Sequence, residues 1–168
     1  MEKLREILVR LIGAMFFSLA LFALMPLTTM AADPARLTGA VKTPLILDDA
    51  LLNDLPVASI DVSYATGSGS SKGSYTGVLL WDVLKKAKLV NGEGTNASLR
   101  HTLLVTSRDG YAVAIAVGEL DPGYGNKKVL LAYKGSDNIP SFAHLRLLMP
   151  GDVHAGRAVR DVASIEVK

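Results

Sequence analysis

Arg108-Asp109-Gly110-Tyr111 places a guanidinium, a carboxylate and a phenol within four residues. A carboxylate at Asp109 can accept two adjacent N–H donors from the edge of a flat heterocycle while Arg108 meets a ring carbonyl. Tyr64, Tyr75 and Tyr111 offer aromatic faces to cover such a ring. Trp81 falls on the first turn of an amphipathic helix, where core packing accounts for it. Asp-Gly is equally the composition of a tight turn, and that simpler role stands beside the binding one.

A second group lies in Gly67-Ser68-Gly69-Ser70-Ser71-Lys72-Gly73-Ser74, which follows a strand pattern and reads as a flexible loop. Its backbone N–H groups and the hydroxyls of Ser68, Ser70 and Ser71 can hold a phosphate, with Lys72 as counter-charge. The alternative is a solvated connector. The Walker pattern is absent, and no helix opens at the end of the segment. Gly69 to Gly73 matches G-x-S-x-G, but without the strand-to-helix turn that a nucleophile elbow needs. A third group is Arg146, Arg157 and Arg160, around the polar stretch Met149–Arg157. These arginines can meet a phosphate tail or a partner carboxylate, or be neutralised locally by Asp152 and Asp161.

Metal chemistry has little to work with. The chain has no cysteine, and His101, His144 and His154 show neither His-x-His nor His-x-x-x-His spacing. A tight zinc or molybdenum site would need those histidines to converge with carboxylates in the folded chain. His101 and His144 read instead as polar positions on strand edges.

The elements that must position these groups are short and mostly extended. Leu37–Val41, Leu45–Leu47, Val57–Tyr64, Lys128–Tyr133, Leu145–Met149 and Val162–Val167 read as strands. His101–Ser107 and Tyr111–Val117 form a hairpin around Asp109-Gly110. Asp48 or Asp49 caps a short helix ending before Pro56. Leu79–Leu89 is the clearest helix, with Leu80, Val83, Leu84 and Ala87 on one stripe and three lysines near its C-terminal end. The expected fold class is a strand-rich α+β single domain with two or three helices.

Residues 1–31 read as a signal peptide. Lys3, Arg5 and Arg10 form a basic start, Leu11–Leu27 is apolar, and Thr29-Met30-Ala31 suits cleavage after Ala31. The other reading is an uncleaved anchor, since no charge occurs between Arg10 and Asp33. The leader holds three basic and two acidic side chains out of 18 and 16, so residues 32–168 are close to neutral. That balance carries no electrostatic footprint for nucleic acid. The expected location is periplasmic or secreted, with stability supplied by packing rather than disulfides.

Ser63-Tyr64-Ala65-Thr66-Gly67, Tyr75 to Leu84, Ser107 to Tyr111, Val129 to Tyr133, Leu145 to Gly151 and Ser164 to Val167 resemble the sulfite oxidase-type molybdopterin domain. The resemblance runs roughly from Leu37 to Lys168. It implies a mixed α+β fold that buries a molybdopterin between strands and loops. In that family a cysteine just after the strand before the Tyr-Thr-Gly-Val-type segment supplies the thiolate that holds molybdenum. Here the neighbourhood reads Ser63 to Thr66, and a neutral hydroxyl is a poor substitute for a thiolate.

The resemblance therefore points to an exported, non-catalytic pterin-binding protein, similar to regulators that signal through a membrane-anchored partner. The ligand it implies is a molybdopterin-like or free reduced pterin without tightly bound metal. The alternative is a molybdenum-cofactor oxidoreductase with a non-cysteine ligand. A structural or adhesive module that has lost its ligand is a third reading. The residues expected at the site are Tyr64, Ser68, Ser70, Tyr75, Arg108, Asp109, Tyr111, Arg146 and Arg157.

Overall fold

The alternation of buried and exposed residues along Thr102–Ser107 and Ala112–Ala116 marks two strands with one face in a core and one in water. In the computed structural model, which describes residues 32–168, these are β5 and β6 of a five-stranded sheet. Its other members are β1 (Ala35–Gly39), β2 (Leu45–Leu47) and β9 (Val162–Val167), in the order β2-β1-β9-β5-β6. Only the β1–β9 pairing is parallel. A four-stranded antiparallel sheet holds β3 (Val57–Thr66), β4 (Gly69–Leu79), β7 (Leu130–Gly135) and β8 (Arg146–Leu148), in the order β3-β4-β7-β8. The expected strand-rich α+β class is thus observed over the described residues, as two sheets. The leader falls outside them. Among the described residues, no helix is long and apolar enough to cross a membrane.

Among the described residues, three α-helices connect strands: α1 (Asp49–Asn53), α2 (Leu80–Ala87) and α3 (Val117–Leu120). The Asp48 carboxylate caps α1 by accepting the Leu51 N–H at 2.9 Å. Helix α2 ends at Ala87, two residues before the expected Leu89, because Lys88 turns to a φ of 58°. Leu80, Val83, Leu84 and Ala87 of α2 enter the main core, with Trp81 half-buried at its side. That core also takes Leu37, Leu103, Val105, Ile115 and Ile165 from the five-stranded sheet, and Val78, Leu131 and Leu147 from the four-stranded one. It is the layer between the two sheets.

The four-stranded sheet buries its other face as well. Val62, Tyr64, Tyr75, Leu130, Ala132 and Leu148 form a second cluster there, closed by Ile139 and Ala158. Tyr64 shows how strongly that face is tied down. Its hydroxyl donates to the Met149 carbonyl at 3.3 Å and accepts the Met149 N–H at 3.1 Å. Burial pushes the phenol pKa upward. Replacing Tyr64 with Phe should cost about 1–3 kcal/mol in a denaturant titration, because both Met149 groups lose a buried partner. A change within a few tenths of a kcal/mol would refute that account.

Three expectations need correction. The Gly67–Ser74 segment is not a loop: only Gly67 and Ser68 turn, and Gly69–Ser74 runs in register with Asp61–Thr66 as a two-stranded arm. The turn-rich composition hid this because the pairing partner lies earlier in the chain and supplies the apolar face, through Val62 and Tyr64. Nor do His101 and His144 sit on strand edges. His101 precedes β5, and His144 ends a 3₁₀ turn at Phe142–His144. The expected first strand is also shifted: it ends at Gly39, whose φ of 93° turns the chain away before Val41.

Candidate functional site

Strand β8 carries Arg146 on the same face as Leu148, opposite Ala132 of β7. The residue is only 9% exposed, a rare position for a charge. Its guanidinium carbon lies 5.4 Å from the centre of the Tyr75 ring, and its Nη1 makes a long contact of 3.4 Å with the Tyr75 hydroxyl. The Asp137 carboxylate pairs with it. Its Nε is buried without a hydrogen-bond partner among the described residues. Burial, first of all, holds the Arg146 pKa below the usual arginine range.

Tyr75 is held from beneath. Its ring lies across Gly135, directly opposite on β7, and beside Gly73 two residues back on its own strand. A methyl group at either glycine would collide with the ring. The ring is therefore held in place with the Arg146 guanidinium over it.

In front of Arg146 opens a cavity of about 430 Å³, within the usual range for small-molecule sites. Its wall is the Asp137–Pro140 segment after β7, together with His144, Arg146, Arg160 and Asp161. Asp161 adopts a left-handed backbone, φ 52°, uncommon for a residue other than glycine. Its Oδ1 accepts from Arg108 Nε at 3.0 Å and from His144 Nδ1 at 2.9 Å. Arg108 also donates to the carbonyls of Asp33 and of Ala143, the latter at 2.8 Å. The guanidiniums of Arg146 and Arg160 and the His144 imidazole thus line one cavity, with Asp137 paired to Arg146 and Asp161 to His144.

The residues expected from sequence distribute as follows. Arg146 lines the cavity and Tyr75 backs it. Arg108 reaches it only through Asp161. Asp109 serves the tight turn, accepting from the Ser107 hydroxyl and from the Tyr111 N–H at 2.9 Å. The Ser107 bond is the main reason its pKa is depressed. Tyr111 is half exposed, and its hydroxyl donates to the Gly156 carbonyl at 2.5 Å. Tyr64 is spent on Met149, as described above. Ser68 and Ser70 sit at the exposed tip of the arm.

Arg157 belongs to a separate ionic cluster. It donates twice to Asp152 at 2.8 Å and to both Glu119 oxygens at 3.1 Å, while Lys127 reaches Asp152 at 3.2 Å. Arg157's hydrogen bond lowers the Asp152 pKa. A depressed carboxylate pKa contributes stability at neutral pH that is lost as pH falls through the folded value, below about 4. Near its tip the arm meets the loop between Asp152 and Arg157, where the Ala65 N–H donates to the Val153 carbonyl at 2.7 Å. Asp137, His144 and Asp161 were absent from the expected set. They follow or precede strands as ordinary polar residues, and only the packing of three loops against β8 brings them together.

A molybdopterin can be tested against these residues in two parts. Its metal has no thiolate available in this chain, and among the described residues no three His, Cys, Asp or Glu side chains cluster as a metal site. Its anionic tail meets a matching donor set in Arg146, with an unused buried N–H, and Arg160.

No protein-family model matches the chain, and no curated protein matches it. Among solved structures, the chain is similar to the sulfane dehydrogenase SoxCD from Paracoccus pantotrophus, at 15% sequence identity and a TM-score of 0.61. The match covers 79% of this chain and 37% of that one, so this chain spans well under half of the enzyme chain it resembles. The likeness establishes a distant relationship of fold.

Proposed function

We propose that the chain is an exported, non-catalytic binding protein for a pterin bearing an anionic tail, with a sulfite oxidase-like molybdopterin-binding fold. The observation that carries this reading is Arg146. A buried guanidinium with an unused N–H, beside a second arginine and a pinned tyrosine ring, suits a flat molecule ending in a phosphate-like group. The tail would lie against Arg146 and Arg160, with Ile139 and Pro140 toward the ring. Free pterins without a charged tail fit the cavity less well than molybdopterin-like ones. When bound, a molybdopterin holds a metal through its own sulfur atoms, and this chain adds no thiolate to it.

Export rests on the basic and apolar pattern of residues 1–31 and the small-residue site before Ala32. A membrane-anchored signalling partner rests on the family resemblance alone. The deciding experiment follows the pterin's own fluorescence while residues 32–168 are titrated into reduced and oxidised pterins, with and without a phosphate tail. Saturable binding of the phosphorylated form, with a rise in melting temperature, is expected. Failure of every pterin to bind would end the proposal.

The distant fold likeness to a dehydrogenase favours a second reading, a molybdenum-cofactor oxidoreductase with a non-cysteine ligand. Metal analysis of protein exported from a molybdenum-replete host separates the two. Stoichiometric molybdenum with oxo-transfer turnover belongs to the enzyme alone.

A further inference from the structure

Neither the pterin reading nor the likeness to the dehydrogenase gives His144 a task, yet it is the cavity wall's one side chain whose charge ordinarily changes near neutral pH. Its Nδ1 is engaged by Asp161 at 2.9 Å, which leaves Nε2 as the remaining donor of the ring. Asp161 is itself fixed, by Arg108 at 3.0 Å and by a left-handed backbone that a turn could have avoided with glycine. The imidazole is therefore oriented by a carboxylate that is in turn oriented by a guanidinium.

The charges around it compete. Asp161 stabilises the imidazolium, with Asp137 across the cavity as a second negative group. Arg146 and Arg160 oppose it from β8 and the segment before β9, and Arg108 opposes it from behind Asp161. Asp33 contributes its carbonyl to Arg108 at the same rim, and Tyr75 stands behind Arg146. A dianion placed between the two cavity arginines cancels the repulsion and leaves the attraction. Anion binding and protonation of His144 then promote each other by equal amounts, as linkage requires.

We infer that His144 is the specificity-determining residue of the cavity: held by Asp161, it takes up a proton when a doubly charged oxyanion binds, and so selects phosphate- or sulfate-type groups over carboxylates. The inference rests on the proposed site but not on the ligand being a pterin. A singly charged carboxylate is already balanced by Arg146 and Arg160 and gains little from a third cation. A tetrahedral dianion has the charge and the spare lone pairs to use it.

Sulfate is the suitable probe, because it stays a dianion from mildly acidic to mildly basic pH and any pH dependence belongs to the protein. Sulfate and acetate are titrated into the protein at pH 5.5 and pH 8 by calorimetry. The imidazole signals of the chain's three histidines are followed by NMR with and without sulfate. Sulfate should bind about tenfold more tightly at the lower pH and raise the titration midpoint of His144 by about one unit. His101 and His154 serve as controls: their Nδ1 atoms meet the carbonyls of Lys168 and Ala65, and neither lines the cavity. His144→Gln should bind sulfate equally at both pH values while melting normally, and acetate should show little pH dependence in either protein.

Sulfate binding without pH dependence, a stationary His144 midpoint in the unmodified protein, or no sulfate binding at all overturns the inference. The NMR arm needs no variant, so a misfolded His144→Gln protein does not shield it. Proton-linked sulfate binding with no pterin bound keeps the inference and removes the pterin reading. Pterin binding that leaves His144 unmoved does the reverse.

Discussion

Arg146→Gln should weaken binding of a phosphorylated pterin roughly 10- to 100-fold, the range for losing hydrogen bonds to a charged group. Binding of an unphosphorylated pterin should change far less, because the lost contact is to the tail. Arg146→Lys should rescue little: an ammonium keeps the charge but not the planar fork whose Nε–H is unused in the free protein. Melting temperature separates this effect from misfolding, since the variant also strips Asp137 of its partner. Equal affinity of the three proteins for the phosphorylated ligand would remove Arg146, and with it the observation on which the proposed function stands.

The largest effect on stability is expected from Gly77→Ala. At Gly77 the register of β4 against β7 shifts, and the strands approach so closely that a Cβ would run into the Leu131 carbonyl and the Ala132 backbone. Both obstacles are main chain inside the four-stranded sheet, so no rotamer change relieves them. The cost should be roughly 3 kcal/mol or more, a fall in melting temperature of about 10 °C for a domain of this size. Gly67→Ala is the matched control. It lies at the tip of the arm with open space around it and no left-handed backbone to strain, and should melt with the parent. A normal melting temperature for Gly77→Ala would mean that the strands there are not packed as described.

The sequence is most readable where periodicity and burial coincide. Val162–Val167 is a strand with the expected ends, the β5–β6 hairpin turns at Asp109-Gly110, and α2 buries the stripe its spacing indicates. The arm is not legible in sequence because glycine and serine are turn formers locally, whereas its stability comes from pairing along the β3–β4 ladder. The site is legible only in fragments. Arg146 and Tyr75 stand out as residue types, but nothing in the chain order says that a residue after β7, one before β8 and one before β9 share a wall. Arg108 and Asp109, the most suggestive pair in sequence, spend their side chains on tying Asp33, Ala143 and Asp161 together and on a turn. Arg157 answers to acids 5 and 38 residues away instead of to a ligand.

The position of Trp81 has a practical consequence for anyone studying this protein with a fluorimeter. The chain's single indole sits on α2 against the layer between the sheets and lines no part of the arginine cavity. Its emission will follow global unfolding faithfully, yet it can stay unchanged while the cavity fills. A silent tryptophan signal is therefore no argument that the cavity is empty.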